Sequence, residues 1–206
     1  MNSLVIEFQK QINDKSIGIS NLIRTCLIIA TKLKNEDIKK WLNKELYGYN
    51  LDDVVPEYRK VPMSVKFLNT YYGWCPFIIT NPKFIKILNE MTLRQKISEI
   101  YELSKSSSEI HFDVPIGIKN SLLKEIPFDS DINYVCNSIY MIGVIDSVKT
   151  KMLEWVLSLE ENGIIDTNYI FDKEQIDKSK QLSSTIINNF YGDKNKIDLN
   201  QEIGSD

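Results

Sequence analysis

The stretch Trp41–Phe67, WLNKELYGYNLDDVVPEYRKVPMSVKF, contains two different periods, and the change between them decides the fold class. Its first part continues a pattern in which Ile38, Trp41, Leu42 and Leu46 recur three or four residues apart, the spacing of a helix with one apolar face. Asn35 can cap that helix, Glu36 and Asp37 fall in its electropositive first turn, and Gly48 ends it. Beyond Arg59 the period drops to two. Val61, Met63, Val65 and Phe67 alternate with Pro62, Ser64 and Lys66, as in a strand with one buried face. Pro62 has no N–H to give a ladder, which places the strand at a sheet edge.

Upstream, Leu4, Phe8 and Ile12 form one helical stripe, and Leu22, Ile23, Cys26, Leu27, Ala30 and Leu33 form another behind Ser20, a suitable N-cap. Three short helices joined by short links bury their stripes most simply as a small bundle. Downstream, the apolar run Trp74–Ile79 follows Tyr71, Tyr72 and Gly73, which predicts an antiparallel hairpin. Asn81-Pro82 opens a helix through Phe84, Ile85, Leu88 and Met91. Thr92-Leu93-Arg94-Gln95 has the spacing of a capping box for a helix through Ile97, Ile100 and Leu103. Short strands near 110–114 and 133–138 flank a helix near 116–125. The strongest helical signal is the series Met141, Ile145, Val148, Met152, Trp155 and Leu159, closed by Asn162-Gly163.

After Gly163 the chain becomes polar. Residues 172–181 read as a solvated helix or linker, and 185–203 read as two short strands around Gly192-Asp193-Lys194-Asn195. The expected architecture is α+β: a predominantly helical bundle with a small antiparallel β-sheet over 1–163, then a C-terminal appendage over 164–206. That appendage is a polar linker followed by a β-hairpin or assembly tail, with an ordinary flexible terminus as the plainer alternative.

Composition narrows the functional classes. The 206 residues are 43% hydrophobic and 26% charged, enough to bury a core. With 25 Lys+Arg against 28 Asp+Glu the net charge is -3, so partners are not captured by bulk basic charge, and no nucleic-acid partner is expected. Cys26, Cys75 and Cys136 are far apart and lack C-x-x-C spacing, so neither a disulfide framework nor a zinc knuckle is expected. No apolar run approaches the roughly 18 residues of a membrane span, and MNSLVIEFQKQINDK reads as an amphipathic helix, not a signal peptide. A cytoplasmic protein without membrane partners is the expectation.

His111 is the only histidine, which excludes paired-histidine metal motifs and leaves one candidate base with no motif around it. Glycine-rich phosphate loops are absent as well, so no metal and no cofactor is expected. No catalytic residue is assigned; among the plentiful carboxylates Glu45 and Asp146 are the candidates, and Asp146 has Lys149 one helical turn away as a plain ion-pair partner. The tract carrying Trp41, Glu45, Tyr49, Tyr58 and Arg59 concentrates aromatic and hydrogen-bonding groups where helix passes to sheet. There Glu45 and Arg59 form either a buried pair holding the junction or a site for a polar ligand. Tyr71, Tyr72 and Trp74 cluster beside the hairpin with few cations among them, and Phe190 and Tyr191 lie in the tail; these are the candidate protein-interface residues.

Several tracts together carry a resemblance. They are S-x-L-I-R-x-C-L-x-x-A-x-K-L (Ser20–Leu33), W-x-x-x-E-L-x-G-Y (Trp41–Tyr49), P-E-Y-R (Pro56–Arg59), L-R-Q-x-I-x-E-I (Leu93–Ile100) and G-V-I-D-S-V-K-T-K-M-L-E-W (Gly143–Trp155). In this order the chain resembles the AbiTii family of bacterial abortive-infection proteins over about Ser3–Glu161. The resemblance implies a role in bacteriophage resistance, in which an infected cell is killed or arrested before progeny are released. It carries over no catalytic residues. The expected mode of action is a protein partner or self-assembly as a homo-oligomer, with a phage component as a further candidate partner. The alternative is a toxin enzyme, a metal-dependent nuclease using Glu45 and Asp146.

Overall fold

A computed structural model of the chain describes residues 3–78, 88–124 and 130–191. Helices α1 (Leu4–Ile12), α2 (Ile19–Lys32) and α3 (Glu36–Tyr47) come first. They are followed by a 3-10 turn (Glu57–Arg59) and strands β1 (Lys60–Pro62), β2 (Ser64–Asn69), β3 (Gly73–Pro76) and β4 (Glu90–Thr92). The remainder is α4 (Ile97–Ser104), β5 (Ile110–Asp113), α5 (Ile116–Leu123), β6 (Ile132–Cys136), α6 (Ile139–Glu161) and α7 (Lys173–Tyr191). The fold is α+β and mostly helical, with two small antiparallel sheets. No helix among the described residues is long and apolar enough to cross a membrane. Contacts divide the chain into two compact units, one of Met1–Arg59, Arg94–Tyr101 and Gly143–Asp206, the other of Lys60–Leu93 and Glu102–Ile142.

In the first unit, α3 has the boundaries its sequence predicts. Asn35 Oδ1 accepts from Ile38 N at 3.2 Å, and Gly48 closes the helix at φ 95°. Glycine is required at 48: a Cβ there would lie 3.0 Å from the Arg94 carbonyl oxygen, besides straining the backbone. Helix α2 starts earlier than expected. Its cap is Gly18, whose carbonyl receives Asn21 N and Leu22 N, and Ser20 falls inside the first turn. Along α6, Ile145, Val148, Met152, Trp155 and Leu159 are all buried, each apolar side chain contributing roughly 1.5–3 kcal/mol, and Gly163 ends the segment at φ 71°.

The largest correction concerns 185–191. Residues 185–191, expected as the first strand of a hairpin, are the end of helix α7, and the expected second strand lies outside the described residues. Ser179, Ser183 and Phe190 recur at helical spacing and are buried together. The small serines allow close approach, and each hydroxyl is satisfied within its own helix, Ser179 to the Ile176 carbonyl and Ser183 to the Lys180 carbonyl. Asn35 Nδ2 donates 3.2 Å to the Ser179 carbonyl oxygen, so one side chain caps α3 and ties it to α7. Asn35→Ala removes both bonds and is expected to lower stability by about 1–2 kcal/mol in urea denaturation. A change below about 0.3 kcal/mol would contradict the double role assigned to this residue.

In the second unit, β3-β2-β6-β5 form a four-stranded antiparallel sheet, and β1 pairs with β4 in a sheet of two. The run from Val61 to Phe67 is therefore cut at Met63 into strands of different sheets. The β2–β3 hairpin forms as predicted, with Phe67 opposite Cys75 and Asn69 opposite Gly73. The capping box does not form, because Thr92 pairs with Lys60 in β4 and Met91 with Val61. Helix α4 instead opens at Lys96, whose carbonyl receives Glu99 N and Ile100 N. Most of the helix expected after Asn81 lies outside the described residues.

Directly opposed residues of a sheet share a face, and this sorts the second unit. Val65, Tyr134 and Phe112 are opposed in series, as are Phe67 and Ile132. Val65, Ile132 and Tyr134 build a core with Leu88, Val114 and Leu122, while Phe77 meets Phe67 edge-on at 6.3 Å. The other face carries Lys66, Asn133, Asp113, His111 and Trp74.

Candidate functional site

In the first unit the tract from Trp41 to Arg59 folds into one hydrogen-bonded network. Glu45 sits seven residues after Ile38, so it faces inward with Ile38, Trp41 and Leu42, while Leu46 is only half-buried. Glu45 and Arg59 are both 0% exposed. Arg59 grips the carboxylate with two donors, Nη2 to Oε2 at 2.5 Å and Nε to Oε1 at 3.1 Å. Oε1 also accepts from the Tyr49 hydroxyl at 2.6 Å and the Tyr58 hydroxyl at 2.8 Å. Trp41 Nε1 donates to the Tyr58 hydroxyl at 2.8 Å, and Arg59 Nη1 donates to the Gln95 carbonyl oxygen at 2.8 Å. The guanidinium lies 4.8 Å from the centre of the Tyr49 ring.

Electrostatics follow from this packing. Burial first, and the Glu45 carboxylate second, push the Tyr49 and Tyr58 phenols well above their ordinary value, so both remain protonated donors. Burial works against the charge of Arg59, but the adjoining carboxylate more than offsets this and holds its pKa above the ordinary value. Tyr191, at the end of α7, has its phenol raised by burial and then by the charge of Glu45. Glu45 accepts four hydrogen bonds, three on Oε1 and one on Oε2, all from groups of the fold itself. Of the two readings of the Glu45–Arg59 pair, this geometry supports the buried pair at the junction.

The other candidates lie elsewhere. Asp146 is solvent-exposed on α6, while Glu45 is sealed, and the two do not share a site. No group of three or more His, Cys, Asp or Glu among the described residues could hold a metal ion. Phe190 and Tyr191 are buried within the first unit, and the Phe190 ring packs 4.7 Å from that of Trp41 with Lys151 Nζ 4.7 Å away on its face.

Tyr71 and Tyr72 stand at the tip of the β2–β3 hairpin, 91% and 84% exposed. Asn69 Oδ1 accepts from both backbone N–H groups, at 2.9 and 3.1 Å, so the tip is a fixed turn that displays two aromatic rings. Trp74, half-buried on the sheet face, packs 4.8 Å from His111. A groove of about 460 Å³ opens beside it, lined by Asp113, Lys119, Asp131 and Asn133 among others.

One residue was missed by sequence reasoning altogether. Asp166 is buried and caps α1 from 163 positions away, accepting from the Ser3 hydroxyl at 2.8 Å, Leu4 N at 3.0 Å and Val5 N at 3.3 Å. No local signal marks it, since its partners belong to the other end of the chain.

Among known proteins, the family model described as AbiTii matches residues 3–184 of this chain, a match that extends into α7. No curated protein and no solved structure matches the chain.

Proposed function

We propose, proceeding from the fact that the chain belongs to the AbiTii family, that it is a phage-resistance protein of the abortive-infection type, acting in the cytoplasm through protein interaction or self-assembly. The family carries the first part. The interaction mode is supported by one observation, the pair of exposed tyrosines held on a fixed hairpin. Large aromatic rings left in water while a core is available to the same unit are what protein interfaces use as anchors. Nothing in the placement of Glu45 and Asp146 favours the metal-dependent nuclease: one carboxylate is wholly buried against Arg59 and two tyrosine hydroxyls, and the other is exposed on α6.

The test is phage challenge of cells expressing the double variant Tyr71→Ser/Tyr72→Ser. Because both rings face solvent, the variant is expected to melt with the unaltered protein while losing protection by about tenfold or more. Full protection by the folded variant would remove the hairpin from the mechanism. Light scattering of the unaltered protein separates the two interaction modes, since self-assembly gives multiples of 23.9 kDa.

A further inference from the structure

We propose that the groove beside Trp74 receives an arginine side chain from an extended segment of a protein partner. The proposal rests on the interaction reading above and assigns its chemistry. Asp113 and Asn133 are directly opposed on β5 and β6, and both line the groove with Trp74. Asp113 is exposed and pairs with no cation among the described residues. Asp131, also in the groove, is met only loosely by Lys119, at 3.4 Å. Two carboxylates against one ammonium leave the groove short of positive charge, which an incoming cation restores and an anion worsens.

The shape of the set selects the cation. An indole wall beside a free carboxylate suits a flat guanidinium, which stacks on the ring while its N–H fork meets the carboxylate; a lysine ammonium is a point charge and cannot do both as well. His111 packs against Trp74 and steadies the indole. The hairpin that carries Trp74 also carries Tyr71 and Tyr72, so residues flanking the arginine in the partner can meet these rings.

Trp41 and Trp155 are wholly buried, so a ligand in the groove is read by Trp74 fluorescence. The experiment titrates the full chain with a capped Gly-Arg-Gly peptide, its citrulline counterpart and inorganic phosphate. Expected are a saturable change with the arginine peptide, none with citrulline, and about tenfold or more weaker binding in Asp113→Asn. Lys119→Met is expected to bind the arginine peptide more tightly, because it frees Asp131. Asp113 is exposed and Lys119 is half-buried, and unchanged far-UV circular dichroism verifies that the variants fold. No saturable response, equal binding of citrulline, or a phosphate response abolished by Lys119→Met overturns the proposal. These readouts need no phage, so their failure leaves the hairpin result of the previous section standing.

Discussion

Arg59→Ala is expected to destabilise the protein by about 3–5 kcal/mol, because it leaves the Glu45 carboxylate buried without its counter-charge. A protein of this size loses roughly 2–4 °C of Tm per kcal/mol, so thermal melting should fall by about 10 °C. The reverse single change, Glu45→Ala, strands the guanidinium and should cost a similar amount. Replacing both with apolar residues of like size, Glu45→Leu with Arg59→Met, should be milder than either single change, since no ion then stays buried. The residual loss comes from Tyr49 and Tyr58, whose hydroxyls would lose their acceptor. Additive effects in a denaturation cycle of the matched singles Glu45→Leu and Arg59→Met and their double variant would show that the two residues do not act as a pair.

Phe190→Ala should cost about 3 kcal/mol or more, the range for removing a buried phenylalanine. The loss has two named parts, the ring contact with Trp41 and the ammonium of Lys151 over the same ring. The change is also decisive about the C-terminal segment. A flexible tail, or a strand held in reserve for assembly, would leave the monomer's stability untouched when Phe190 is cut back. A helix packed on α3 would not. A loss of stability below about 0.5 kcal/mol in denaturation would therefore restore the tail reading for this segment.

Part of the candidate site was legible in the sequence. Trp41, Glu45, Tyr49, Tyr58 and Arg59 stand out because aromatic and charged groups crowd a change of period, and the structure gathers all five in one network. The inward position of Glu45 was also open to view, since it occupies the place seven residues beyond Ile38 where an apolar residue belongs. Leu46, the nearer apolar residue, is only half-buried. What periodicity does not contain is the partner. Arg59 is 14 residues away and outside the helix, and only its arrival makes a buried carboxylate tolerable.

The capping box failed for a comparable reason. Thr92 and Gln95 have the correct spacing for it, but Thr92 is claimed by its ladder with Lys60, and a sheet partner outcompetes a local side-chain cap. In the last helix the β-branched Ile186 and Ile187 among polar residues read locally as a strand. The buried face that decides the matter carries Ser179, Ser183, Phe190 and Tyr191, whose value depends on the helix they pack against.

By itself, the sequence determined the α+β class, the bounds of α3, the β2–β3 hairpin and the long apolar seam of α6. Each of these is set by neighbours within a few residues, through period, cap or turn. Only the tertiary structure decided that Glu45 is neutralised by Arg59, that Asp166 caps α1, that 185–191 continues a helix, and that Trp74, Asp113 and Asn133 line one groove. Those features join residues distant in the chain, and the energies that choose them, burial of a charge or a ring against a particular partner, exist only once the partner is in place.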